Sequence, residues 1–147
     1  MSIWWSLHLR REAASVPLAR RLLLGTMETA GVDPDVSYDL SLALSEACAN
    51  AVEHGGESGL PDSSAAYRVT AYLDGEKCRI EVTDSGPGFP PVRPPRPTPM
   101  EAESGRGLCL IRELADHVQI GNKPGRGAVV SFDKILKWRK DAPLMAV

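Results

Sequence analysis

A chain of 147 residues has the length of one ordinary domain, enough to bury a core and too short for two full ones. Its formal net charge of -2 and pI near 5.9 give no electrostatic ground for binding nucleic acid or a membrane surface. The longest apolar runs, such as Leu22-Leu23-Leu24, fall far short of the roughly 20 residues that span a bilayer.

No basic, apolar, small-residue leader precedes the first expected helix, so a cytoplasmic location is expected. The three cysteines, Cys48, Cys78 and Cys109, show neither CxxC spacing nor paired histidines and are expected to be small buried hydrophobes. In Ile3-Trp-Trp-Ser-Leu-His-Leu-Arg10 apolar and polar residues alternate with a period of two, which predicts a strand. As a terminal strand it is also an edge candidate, where adjacent tryptophans mark either a contact with another chain or, for Trp5, packing in the core. From Ser15 to Ala30, Leu18, Leu22, Leu23, Met27 and Ala30 recur at helical spacing, with Ser15 as cap, Pro17 in the first turn and Gly31 past the end.

Asp33-Pro34-Asp35 then starts a second helix that runs to about His54 and stops at Gly55-Gly56. Residues 55–64 are rich in Gly, Ser, Pro and acid and predict a loop. Alternation at Val69, Ala71 and Leu73, and again at Ile80 and Val82, around the pair Asp74-Gly75, predicts an antiparallel hairpin. The proline-rich stretch 90–99 suits neither helix nor sheet, and a lid loop is expected over about 86–104. Ser104-Gly-Arg-Gly-Leu108 is expected to open a third helix with Leu108, Ile111, Ala115 and Val118 on one face. A last hairpin, Val118–Gly121 and Ala128–Phe132, closes the core over about 3–132, with the tail 134–147 expected to fray. One domain over 1–147 is expected.

The second helix has two jobs. At about 100° per residue, Leu40, Leu44, Ala47 and Ala51 form an apolar stripe, while Glu46, Asn50 and His54 follow at i, i+4 and i+8 along a neighbouring one. A polar row is commonly just a solvated face, but two glycine-rich segments follow it. A carboxylate at a strand end, Asp84, suits the exocyclic amino group of adenine. Gly86 and Gly88 let backbone approach a base or sugar. The turn Gly105-Arg106-Gly107 would offer backbone N–H groups at a helix start to phosphate oxygens. Asn50 is a neutral oxygen ligand suited to Mg²⁺, and Glu46, one turn away, is placed to take a proton from an attacking hydroxyl. There is no GxxxxGK[ST] P-loop.

The ordered set Glu46-x-x-x-Asn50-x-x-x-His54, Asp84-x-Gly86-x-Gly88 and Ser104-Gly105-x-Gly107-Leu108 resembles the N, G1 and G2 boxes of the GHKL ATP-binding superfamily. The short length, the strand and helix before the N box, and the closing K-P-G-x-G turn resemble the anti-sigma-factor serine/threonine kinases of bacterial partner switching. The resemblance implies an α+β fold: a two-layer α/β sandwich of Bergerat type, its mostly antiparallel sheet covered on one face by three helices. It implies ATP or ADP with Mg²⁺ as ligands, Asn50 as the metal ligand, Glu46 as general base and Asp84 as adenine reader. His54, Gly86, Gly88, Ser104, Gly105, Arg106, Gly107 and Leu108 complete the implied nucleotide pocket.

The implied protein is a homodimer that holds a sigma factor and phosphorylates a serine or threonine of a small antagonist, with no direct nucleic-acid or membrane contact. Two positions depart from the family pattern. Glu103 stands where several relatives carry an arginine that reaches the terminal phosphate, and Ala128 stands where a threonine often supports the adenine site. A non-catalytic ATP-binding interaction module is the alternative. The ATP-binding fragment of a histidine kinase fits less well, because His8, His54 and His117 do not sit in a long bundle helix with a following acid.

Overall fold

Alternation of apolar and polar side chains builds one face of a sheet, and helical stripes of small and branched apolar residues cover it. The computed structural model describes residues 2–54, 66–84, 99–123 and 127–140, and for His54, residues 99–106 and Lys123 the backbone only. In chain order the elements are β1 (Ile3–Arg10), α1 (Ser15–Ala30), α2 (Pro34–His54), β2 (Ala66–Leu73), β3 (Lys77–Asp84), α3 (Pro99–Leu114), β4 (His117–Lys123) and β5 (Gly127–Ile135). The five strands lie in the order β1-β2-β3-β5-β4, every neighbouring pair antiparallel.

Val69, Ala71 and Leu73 of β2, Cys78, Ile80 and Val82 of β3, and Val130 and Phe132 of β5 are buried under the helices. The register brings Ile80 opposite Phe132 and Val82 opposite Val130. α2 lies centrally, packed against α1 on one side and α3 on the other, and buries Leu40, Ala43, Leu44, Ala47, Cys48 and Ala51. Each fully buried leucine or isoleucine of this kind contributes about 1.5–3 kcal/mol relative to exposure. This is the two-layer α/β sandwich expected from the sequence.

Local chemistry sets the boundaries. α1 ends in a left-handed Gly31 (φ 91°), where Gly31 N–H donates to the Glu28 carbonyl at 3.2 Å and Val32 N–H to that of Met27 at 3.0 Å; a side chain would strain that backbone. Asp33 caps α2, its Oδ1 accepting from Asp35 N–H at 2.9 Å, with Pro34 at the first helical position. At the other end, Arg11 donates to the carbonyls of Ala51 (3.1 Å) and Val52 (2.8 Å), so a cation satisfies the last turn of α2. In the β2–β3 hairpin, Asp74 Oδ1 accepts from the N–H groups of Glu76 (2.7 Å) and Lys77 (2.9 Å). These two backbone donors hold the Asp74 carboxyl below its usual range and fix the turn.

Five expectations change. Ser15 is the first residue of α1 rather than its cap: it is buried, donating to the Glu12 carbonyl at 2.7 Å and meeting the Tyr67 hydroxyl at 2.6 Å. Leu18 and Leu22 are exposed, because the stripe Ala19, Leu23, Met27 and Ala30 faces the sheet and α2 instead. Cys109 is exposed, whereas Cys48 and Cys78 are buried as expected.

The tail does not fray up to Arg139. β5 runs to Ile135 and Leu136 is buried. Trp138 Nε1 donates to the Gly75 carbonyl at 3.1 Å, and Arg139 to those of Gly31 and Glu28. Apolar Leu136 and Trp138 give this stretch something to bury, which a solvated tail lacks. Residues 141–147 lie outside the described residues. Finally, α3 begins at Pro99, within the expected lid loop. Pro99 suits the first helical position, and Met100-Glu-Ala-Glu103 are strong helix formers that outweigh the cost of about 1 kcal/mol for each following glycine. Lid residues 86–98 lie outside the described residues.

Candidate functional site

The apolar stripe of α2 turns its polar row toward α3. Glu46 and Asn50 are half-buried, and Gly107 of α3 sits directly against them. A Cβ added at Gly107 would lie 3.1 Å from Glu46 Oε2, 3.7 Å from Asn50 Oδ1 and 3.8 Å from Asn50 Nδ2. The missing side chain is what lets α3 approach the carboxylate and the carboxamide this closely. Leu108, next in sequence, is buried in the core and fixes this turn of α3. His54 is the last residue of α2, and its side chain lies outside the described ones.

Asp84 ends β3, 9% exposed, and its Oδ1 accepts from Ala128 N–H at 3.1 Å. The register that pairs Thr83 with Val129 puts Ala128 next to Asp84, so a backbone donor orients the carboxylate without the expected threonine. Across the sheet Asp84 is paired with Tyr67 of β2, and Tyr67 is hydrogen-bonded to the thiol of Cys48 on α2.

The Ser15 and Tyr67 hydroxyls are hydrogen-bonded to each other at 2.6 Å, and a buried chain Cys48–Tyr67–Ser15 joins α2, β2 and α1 beside the site. Burial pushes the Cys48 thiol up to about 12, with the Tyr67 hydrogen bond pulling the other way, and likewise raises Tyr67 to about 12. Both stay neutral at physiological pH. Sequence reading missed this chain and the Arg11 cap, since neither has a motif; the Ala128 contact was implicit in the strand register.

Gly86 and Gly88 lie outside the described residues. Ser104, Gly105 and Arg106 are placed in α3 by their backbone, with their side chains outside the described ones. Gly105 and Gly107 are the seventh and ninth residues of α3, beyond the first turn whose N–H groups lack helical partners. Among the described residues no group of three His, Cys, Asp or Glu side chains is arranged to hold a metal. The arrangement does fit an adenine nucleotide with magnesium. It offers an oriented, nearly buried carboxylate at a strand end, and a carboxylate and carboxamide side by side on a helix that a glycine leaves open.

A profile of the histidine kinase-like ATPase domain matches residues 9–134. The chain is 32% identical over 132 residues to a serine-protein kinase RsbW of Bacillus licheniformis, covering 82% of this chain and 78% of that one. It is 29% identical over 114 residues to an anti-sigma F factor of a Thermoanaerobacter species, covering 73% and 77%. Among solved structures, the RsbU and RsbW domains of a Mycobacterium tuberculosis protein match with a TM-score of 0.65 at 22% identity, over 90% of this chain and 33% of that one. At that identity the likeness speaks for the fold.

Proposed function

The chain belongs to the histidine kinase-like ATPase domain family and is homologous to its anti-sigma-factor kinases, and from that premise we propose that it is a cytoplasmic, homodimeric anti-sigma factor that binds Mg²⁺ and ATP and phosphorylates a serine or threonine of an antagonist protein. The observation that supports this most is the close approach of Gly107 to Glu46 and Asn50, which leaves the polar row of α2 at the seam between two helices.

In this proposal Asp84 accepts a hydrogen bond from the adenine amino group, its geometry set by Ala128 N–H. Asn50 would supply one neutral oxygen ligand to Mg²⁺. Bound Mg²⁺ and ATP supply the transferable phosphoryl group and neutralise its charge. Glu46 accepts the proton of the incoming hydroxyl, and Gly107 keeps its carboxylate unobstructed. His54, Gly86, Gly88, Ser104, Gly105, Arg106 and Leu108 are proposed as the rest of the nucleotide pocket.

The non-catalytic module is favoured by one observation, the continuation of α3 back to Pro99, which engages the N–H groups of Gly105 and Gly107 within the helix. Incubation with labelled ATP, Mg²⁺ and a candidate antagonist protein separates the two. Label on the antagonist that disappears in Glu46→Ala supports the kinase. Intact nucleotide binding without transfer supports the module.

A further inference from the structure

The face of the sheet turned away from the helices carries a groove of about 350 Å³, at the end of the strand order remote from β1. Register and alternation set its parts. Val129 and Ser131 of β5 form the floor, Arg79 and Glu81 of β3 one wall, and Gln119 and Gly121 of the edge strand β4 the other. Ser131 is only 7% exposed, yet its hydroxyl has no hydrogen-bond partner among the described residues and is not sealed from the groove. A hydroxyl held this far from water calls for a polar group to meet it. Arg79 faces Asp133 in the strand register, but Asp133 Oδ1 lies 2.9 Å from His117 Nδ1 instead, and the Arg79 guanidinium makes no ion pair among the described residues. Gly121 is a third anomaly: its φ is not positive, and a Cβ added there would meet nothing within 4 Å. Neither backbone nor crowding demands glycine at this point, and glycine weakens a strand interior. What its missing side chain does is open the β4 wall of the groove.

β4 is also an edge without protection. Its seven residues pair one to one with β5, with no bulge and no proline, and among the described residues no strand lies on its other side. We propose that β4 takes up an extended segment of a partner protein as a sixth strand, and that a glutamate of this segment, facing Gly121, passes through the gap and lays its carboxylate in the groove against Arg79, Gln119 and Ser131. The added strand meets the alternate N–H and C=O groups of β4 that point away from β5, and the groove selects the side chain. A groove this open suits a side chain delivered by a chain better than a free small molecule, whose pocket buries most of its surface. The balance of donors selects a carboxylate. Arg79, Gln119 and Ser131 offer N–H and O–H groups that the described residues do not use, whereas Glu81 on the same wall as Arg79 already accepts from Thr83 Oγ1 at 3.3 Å. Reach selects glutamate over aspartate, because two strand spacings put the added strand about 9.6 Å from β5. The glutamate methylenes then rest on Val129, itself 8% exposed. This surface lies on the opposite face of the sheet from the helices, goes beyond the function proposed above and does not depend on nucleotide binding.

The test uses the full chain and a blocked, fluorescein-labelled heptapeptide of threonines with one central glutamate, titrated by fluorescence anisotropy, with amide shifts mapped by ¹⁵N NMR. The same peptide with aspartate or glutamine at its centre is run beside it. The glutamate peptide is expected to bind and to shift the amide signals of residues 119–122 and 129–131, with the other two peptides at least about tenfold weaker. Gly121→Val fills the gap with a strand-favouring residue, and Arg79→Gln removes the charge. Each is expected to raise the dissociation constant of the glutamate peptide at least about tenfold while melting temperature and nucleotide binding stay unchanged. No binding of the glutamate peptide at about 1 mM, or shifts on β1 in place of β4, overturns the surface. Equal binding of the glutamine peptide overturns the carboxylate, and affinity unchanged in Gly121→Val overturns entry through the gap. If thermal denaturation shows Gly121→Val misfolded, Arg79→Gln and the amide shifts decide.

Discussion

The two sides of α2 set stability against chemistry. Toward the sheet, Leu40, Leu44, Ala47, Cys48 and Ala51 are almost wholly removed from water, and burial of this kind carries the fold. Toward α3, Glu46 and Asn50 remain half-buried beside the open position of Gly107. That side gives up packing for two polar groups whose net contribution to stability is small. The contrast teaches that the apolar side is a mount: it fixes where the polar row stands, so changes on the two sides are expected to separate cleanly into loss of folding and loss of binding.

Removing the mount has the largest effect. Leu44→Ala is expected to lower the unfolding free energy by about 2–5 kcal/mol, read from urea denaturation, with the folded remainder still binding nucleotide. Next comes the buried chain beside it: Tyr67→Phe leaves Ser15 its bond to Glu12 and is expected to cost about 1 kcal/mol. The same chain gives the mounted side an alkaline limit. Cys48, Cys78 and Tyr67 are each raised in the folded state to about 12, so above the thiol reference of 9.0 the unfolded chain loses protons that the folded one keeps. Stability is then fully present below about pH 9 and falls as pH rises toward 12; a melting temperature that is flat across this window would contradict the burial of these groups.

On the polar side stability should hardly move. Gly107→Ala gains helix propensity of about 1 kcal/mol but pushes against Glu46 Oε2, so it is expected to leave folding within about 1 kcal/mol while weakening nucleotide binding, measured by calorimetry. Asn50→Ala, the smallest of these on stability at under about 0.5 kcal/mol, is expected to abolish the magnesium dependence of binding. If Asn50→Ala instead unfolds the chain, the two sides are not separable.

Much of this contrast was legible in the sequence because it rests on periodicity. The stripe on α2, the alternation of Ile3–Arg10, the Asp33-Pro34 start and the Asp74 hairpin are local patterns with local causes. What was not legible depends on partners distant in the chain. Arg11 finds the end of α2 some 40 positions away, and Leu136 and Trp138 are held by Glu76 and Gly75, which no window over the tail contains. Leu18 and Leu22 match the helical period as well as Leu23 and Met27 do, and only packing decides which stripe faces inward. The third helix starts at Pro99 and not at the expected Ser104, because the helix-forming run 100–103 ahead of the glycines decides its first turn. For the site, Glu46 and Asn50 share one row of α2 as their spacing suggested, whereas the approach of Gly107 to them depends on how α3 packs, and the orientation of Asp84 by Ala128 N–H required the β3–β5 register.

The most direct test of the central claim, that an adenine nucleotide with magnesium is held between the polar row of α2 and Asp84, is isothermal titration calorimetry of the folded chain with ATP, with and without Mg²⁺, beside Asp84→Asn. The account predicts one magnesium-dependent site per chain that is lost or greatly weakened in Asp84→Asn. No heat from the native chain with either ATP or ADP in the presence of Mg²⁺, or full-strength binding by Asp84→Asn, would contradict it.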